Sequence, residues 1–227
     1  MINDKYIINH SSIVNKVKLF IKLFLGLFLY AVGEVMTINA NLGLAPWDVF
    51  HQGLAKTFCI TIGQATIIIS IVIVILNSIL GERIGWGTLS NMLLIGFFMD
   101  FLMKNHLIPV FNNILIRIIM MMFGMLVLGI ASLIYLGVGL GSGPRDGLMI
   151  VLTKKTKKSV RIVRTFIEVS VLIIGVMIGG SIGIGTVIMA CLIGFFVQLI
   201  FKIFKFDIEK IHHKFVGKDI NFIHQQE

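Results

Sequence analysis

The chain has 227 residues, of which 57% are apolar and only 14% charged, and its net charge is +9. Soluble domains carry about 45–50% apolar and about 25% charged residues, so a soluble interior of this size cannot hide the apolar surface, whereas a lipid bilayer can. The lysines stand beside apolar runs rather than on a polar face, which fits the cytoplasmic side of a membrane and argues against a nucleic-acid surface.

Residues 1–16 form an N-terminal segment expected in the cytoplasm. A helix needs about 20 apolar residues to cross a bilayer, and the first such run is Val17–Ile38. It is too long for a cleaved signal core and no A-x-A site follows, so it reads as a retained span. Pro46–Phe58 is helix-like but short. Two further runs, Ile62–Leu80 and Gly85–Met103, complete the first half, and Phe111–Leu136 opens the second. Pro144–Thr153 is again short, and Val160–Ile178 and Ile184–Ile203 are the last two apolar runs. The polar tail, residues 206–227, carries the adjacent His212 and His213, which without further ligands do not form a metal site. Cys59 and Cys191 lie in or beside apolar stretches, far from any second Cys or His at ligand spacing, and are expected to pack as small apolar residues. The fold expected is all-α and membrane-embedded, with about six transmembrane helices.

Leu42–Leu102 aligns on Leu140–Ile200 at an offset of 98 without a gap, with 18 identities in 61 positions. Leu-Gly-Leu-Ala-Pro-Trp-Asp at 42–48 meets Leu-Gly-Ser-Gly-Pro-Arg-Asp at 140–146, Ile-Gly-Trp-Gly-Thr at 84–88 meets Ile-Gly-Ile-Gly-Thr at 182–186, and Leu-Ile-Gly-Phe-Phe at 94–98 recurs at 192–196. Pro, Asp, Thr and Gly matched in register are not a composition effect. Residues 17–103 and 111–205 therefore read as two membrane repeats. If the short helices dip in and return, each repeat crosses three times, the repeats are inverted, and 17 of 20 basic residues face the cytoplasm. If they cross, there are eight spans, parallel repeats and 18 basic residues inside. Length favours the first reading, and both place the two termini in the cytoplasm.

These residues resemble the bacterial YczE/YyaS/YitT family of membrane proteins, most nearly its YczE-like branch. The resemblance runs from about residue 17 to 205. It is carried by Gly-Leu-Ala-Pro-Trp-Asp at 43–48, His51-Gln52-Gly53, Gly85-x-Gly87-Thr88, Gly-Ser-Gly-Pro-Arg-Asp at 141–146, Arg164 with Glu168, and Gly183-x-Gly185-Thr186. It implies a multi-pass protein of the bacterial cytoplasmic membrane and supplies no activity or substrate. The soluble C-terminal domain of the YitT-type members has no counterpart here, so roles resting on it are not expected.

Charges within spans are costly and usually functional. Asp48 and Asp146 follow the prolines by two residues, in the first helical turn. They read either as carboxylates favoured by the helix dipole or as parts of a substrate site at which two broken helices meet. Arg164 and Glu168, spaced i, i+4, read as a paired helix face, and Thr66 and Ser70 occupy the matching positions of the first repeat. Arg145, matched to Trp47, reads as an anion-binding or interfacial residue. Thr88 and Thr186 read as helix caps or as hydroxyls facing a substrate. Glu34 and Asp100 lie toward the outer ends of spans, where water is in reach, and His51 is a lone histidine beside the motifs. Asp48, Asp146, Arg145, Arg164 and Glu168 are expected to converge inside the protein.

No Ser-His-Asp set, Cys-His pair, phosphate-binding loop or metal cluster is present in the pattern, so neither an enzyme nor a cofactor is expected. The function expected is a small transporter or permease. The alternative is a non-transporting membrane accessory. The partners expected are the lipid bilayer and a small solute or another membrane protein.

Overall fold

The structure is a computed structural model that describes residues 3–205 apart from Arg83, with side chains from Val17 onward. The tail at 206–227 with its histidine pair, and the side chains of the N-terminal segment, lie outside the described residues. Those residues form eight helices: α1 (Asn3–Asn39), α2 (Pro46–Phe58), α3 (Ile62–Ile79), α4 (Trp86–Lys104), α5 (Ile114–Leu136), α6 (Pro144–Thr156), α7 (Val160–Met177) and α8 (Ile184–Ile203).

Local chemistry accounts for the helix starts. Pro46 and Pro144 open α2 and α6, where a missing N–H costs nothing. Thr61 caps α3 in a reciprocal box with Gln64, Asn113 accepts from Leu115 at the head of α5, and Ser159 accepts from Ile162 at the head of α7. Both short helices stop at a left-handed residue, Cys59 and Lys157, each at φ 54°. Every helix from α2 to α4 recurs 98 residues later as α6 to α8, with starts that match to the residue.

Five helices among the described residues are long and apolar enough to cross a membrane: Val17–Asn39, Ile62–Ile79, Trp86–Lys104, Ile114–Leu136 and Ile184–Ile203. The fifth expected run, α7, has the length but carries Arg161, Arg164 and Glu168, so its composition alone does not qualify it. Large apolar side chains cover the outer surface, Phe20, Ile75, Phe97, Phe123, Ile173 and Phe195 among them, as a protein solvated by lipid chains requires. Cys59 and Cys191 are both exposed. The packing role expected of them fails, because Cys59 sits in the α2–α3 turn and Cys191 on an outward face of α8.

The centre is an antiparallel pair, α1 and α5, each flanked by its own partner, α4 and α8. Gly26 lies against Tyr135, and Gly33 against Gly124 and Leu128, so the two backbones approach where side chains are absent. The short helices are exchanged: α2 packs on α7, and α6 packs on α3. Two equivalent backbone bonds tie the exchange, Gly87 N–H to the Leu140 carbonyl and Gly185 N–H to the Leu42 carbonyl, both 2.7 Å. Gly43 and Gly141, at φ 119° and 123°, let these loops pass against Gly183 and Gly85, where a β-carbon would collide.

Both flanks of α2 lie at one end of the bundle. Gly185 holds Leu42 at the start of α8, and the Lys56 ammonium donates to the Gly179 carbonyl (2.9 Å) just past α7. Both flanks of α6 lie at the other end, where Gly87 holds Leu140 and Lys154 pairs with Glu82 at 3.1 Å. Each short helix therefore has its preceding loop and its last turn tied to the same end of the bundle.

The halves also differ in packing. α3 packs closely on α4 through Gly63 and Gly96, and Asp100 accepts from the Thr61 hydroxyl and the Gly63 N–H. α7 makes no comparable contact with α8, and a side chain placed at Gly194, the counterpart of Gly96, would meet nothing within 4 Å.

Candidate functional site at the meeting of the two short helices

The first turns of α2 and α6 point into the interior and meet there. The Arg145 guanidinium lies over the Trp47 ring, 5.0 Å from its centroid, a geometry in which the ring face attracts the cation. On its other side Arg145 Nη1 stands 3.7 Å from Glu34 Oε1 of α1. That is an ion pair too long for a hydrogen bond. Glu34 therefore has a like charge, Asp48, and an opposite one, Arg145, as its electrostatic neighbours.

Asp48 and His51 share one face of α2 and are 3% and 1% exposed. His51 Nδ1 is 3.6 Å from Asp48 Oδ1 but 3.1 Å from the Thr66 hydroxyl of α3. Thr66 spends its own hydrogen on the Ile62 carbonyl, 2.9 Å away. In the tautomer protonated at Nδ1, the Thr66 oxygen accepts from His51 Nδ1, and Nε2 remains the basic nitrogen of the ring. Asp48 Oδ1 and Glu34 Oε2 are buried with no hydrogen-bond partner among the described residues. Tyr30 of α1 and Tyr135 of α5 close the group, with ring centroids 6.5 Å apart.

A second, accessible set adjoins the first. Asp146 is exposed, and Arg164 of α7 acts on it more strongly than Arg145 does. Arg164 Nε donates to Glu168 Oε1 at 2.9 Å, and the two side chains are 53% and 27% exposed. Among the described residues no group of three or more His, Cys, Asp and Glu side chains is placed to hold a metal ion.

Of the residues expected to converge, the structure brings Asp48 and Arg145 into the buried centre and sets Asp146, Arg164 and Glu168 at its accessible edge. The expectation that all five face the interior is corrected for Asp146, which is exposed, and for Arg164, whose side chain is more than half exposed. Thr88 and Thr186 lie away from both sets. The Thr88 hydroxyl donates to the Ser142 carbonyl (2.6 Å), and Thr186 Oγ1 accepts from Gly183 N–H (3.2 Å), so both lock the loops that aim the short helices. Asp100 stays near the helix end as expected, but it ties α3 to α4. Glu34 is the largest departure. Its position near the end of an apolar run suggested access to water, yet it is 4% exposed, because α2 and its preceding loop fold back over that end. Tyr30, Tyr135 and Thr66 left no signal in the sequence, since their partners come from other helices.

The architecture and the charged interior define a polytopic α-helical membrane protein. Residues 17–202 match the family of unknown function DUF6198, and the chain belongs to that family. It is 39% identical over 175 residues to the uncharacterized membrane protein YczE of Bacillus subtilis strain 168, covering 75% of this chain and 80% of the relative. It is 34% identical over 181 residues to an uncharacterized protein of Haemophilus influenzae, covering 80% and 82% of the two chains. The uncharacterized protein YyaS of Bacillus subtilis is 28% identical over 184 residues, covering 79% of this chain and 90% of the relative. No solved structure matches the chain.

Proposed function

We propose that this protein is a small transporter built from two inverted three-span repeats, with its solute site where α2 and α6 meet, rather than an enzyme. One observation carries the reading: the first turns of the two short helices meet where Arg145 lies over Trp47 and beside the buried Glu34, with Asp48 buried on the same turn as Trp47. A charge at mid-membrane costs roughly 2.5–3.5 kcal/mol on insertion scales, and broken helices meeting at mid-depth are how repeat-built transporters form a solute site. The antiparallel α1–α5 pair and the exchanged short helices support the inversion. On this reading α7 is the sixth span, its charges facing the polar cleft rather than lipid, and both termini are cytoplasmic in a bacterial cell membrane. The tight α3–α4 seam and the open α7–α8 side are then the closed outer and open inner gates of one state of an alternating cycle.

The test is a thermal-unfolding screen of purified protein against amino acids, amines, organic acids and inorganic anions, followed by uptake of any stabilising compound into proteoliposomes. The expected result is a compound that raises the unfolding temperature, is taken up, and loses both effects in Arg145→Ala. Stabilising compounds that are never taken up, or no stabilising compound at all, overturn transport and favour the accessory role.

A further inference from the structure

We propose that the groove between α1 and α4 holds an acyl chain of one anionic phospholipid, whose headgroup is bound by Lys18 and Lys22. The observation is a cavity of about 480 Å³ between the two helices. Leu23 forms its floor, Phe24, Phe28 and Leu94 line its walls, and Ser90 is its one polar lining residue. Phe20 and Ile21, both exposed, form its rim on the lipid-facing side. The groove is preformed. The rings of Phe24 and Phe28 both stand edge-on to Phe98, with centroids 4.9 and 5.4 Å away, and Phe98 is itself buried. Two rings packed edge to face on a buried third are held in place, which fixes the aromatic wall.

Length and charge select the occupant. Phe20 to Phe28 is roughly 12 Å of α1 at 1.5 Å per residue, most of the about 15 Å that one leaflet gives to the hydrocarbon core. The groove follows the first turns of the span Val17–Asn39 and the first half of α4. Trp86, half exposed, marks the same end, as aromatic residues do at headgroup level. Lys18 and Lys22 are exposed there, one turn apart, and neither pairs with an acidic side chain among the described residues. Helical side chains lean toward the N-terminus, and a lysine beside apolar surface carries its ammonium out to the headgroups. Both charges therefore gather above the mouth of the groove, where a net negative headgroup is favoured over a zwitterionic one. A polar solute would find a single hydroxyl in this slot. A second copy is opposed by symmetry, because a two-fold partner on this face would set Lys18 and Lys22 against the same lysines. The site is separate from the centre where α2 and α6 meet, and it stands whether or not the protein transports a solute.

The experiment is native mass spectrometry of the purified full-length protein, incubated in detergent with equal amounts of phosphatidylglycerol and phosphatidylcholine carrying the same acyl chains. The expected species is one chain with one phosphatidylglycerol, held about tenfold in preference to phosphatidylcholine. The double variant Lys18→Gln, Lys22→Gln is expected to lose the preference. The control Lys158→Gln, Arg161→Gln, which removes two charges at the α6–α7 turn, is expected to keep it. Ser90→Phe puts a ring into the groove and is expected to remove the bound lipid. If that variant does not fold, phosphatidylglycerol with short six-carbon chains replaces it as the probe of the groove, and is expected to bind at least about tenfold more weakly than the long-chain lipid. Equal retention of the two headgroups, a preference lost as fully in the control, or binding indifferent to both Ser90→Phe and chain length overturns the site. Paired chains in place of a chain with lipid would assign the face to a second copy and overturn it as well.

Discussion

Arg145 answers to several neighbours at once: the face of Trp47, the carboxylate of Glu34, and the fields of Asp48 and of the adjacent Asp146. Replacing it by Ala strands Glu34 and Asp48 as unpaired buried acids. Breaking such a pair from one side costs several kcal/mol when fully buried, and Arg145's partial exposure brings the expectation to about 3 kcal/mol. Arg145→Ala is therefore expected to lower the unfolding temperature in detergent, and adding Glu34→Gln to recover a measurable part of the loss. Additive losses would mean that the two residues do not depend on each other. The sequence shows Asp48 and Arg145 as candidates because each follows a Pro in a matched motif. It does not show Glu34 and His51 as part of the centre, since depth in a membrane protein is set by what folds over a helix end. Trp47 and Arg145 occupy matched positions and lie against each other, as matched positions do beside a two-fold axis.

At the scale of helices, the starts of α2, α3, α6, α7 and α8 were legible, whereas α5 begins at Ile114 rather than Phe111 and α1 at Asn3 rather than Val17. α2 spans Pro46–Phe58 just as its composition predicts, because Pro allows a start and a left-handed residue forces a stop. α6 runs three residues past its expected end, to Thr156, since Lys154 and Lys155 suit the negative end of the helix dipole. Contacts between helices were not legible, because an apolar sequence does not specify which apolar face meets which. The glycines test the packing directly. Gly96→Ala drives a methyl into the Gly63 carbonyl and Ile67, and overpacking of that kind costs about 1–3 kcal/mol. Gly194→Ala meets nothing and is expected to leave the unfolding temperature unchanged. A similar loss from both substitutions would contradict the asymmetry between the α3–α4 and α7–α8 sides.

For the whole molecule, the distribution of basic residues predicts that the α6–α7 turn faces the cytoplasm and the α2–α3 turn faces out. The exposed Cys59 is a native reporter for the second. In intact cells a membrane-impermeant thiol reagent is expected to label wild type at Cys59. The same reagent is expected to leave Thr156→Cys unlabelled in a Cys59→Ser, Cys191→Ser background until the membrane is opened. Labelling of position 156 from outside would reverse the topology.

The exchange of short helices also bears on how the chain is made. α2 is synthesised early, but the surface it packs on, α7, and the N–H that holds its preceding loop, from Gly185, come more than a hundred residues later. While the first half leaves the ribosome, the polar face with Asp48 and His51 has no finished pocket to enter. Insertion of this chain is thus expected to pass through a waiting stage, in which α2 rests at the membrane surface or against the insertion machinery. Released chains truncated before α7 should expose α2 to protease, and full-length chains should protect it. The order of translation and the order of assembly are necessarily different here, because a helix from each half is completed only by the other.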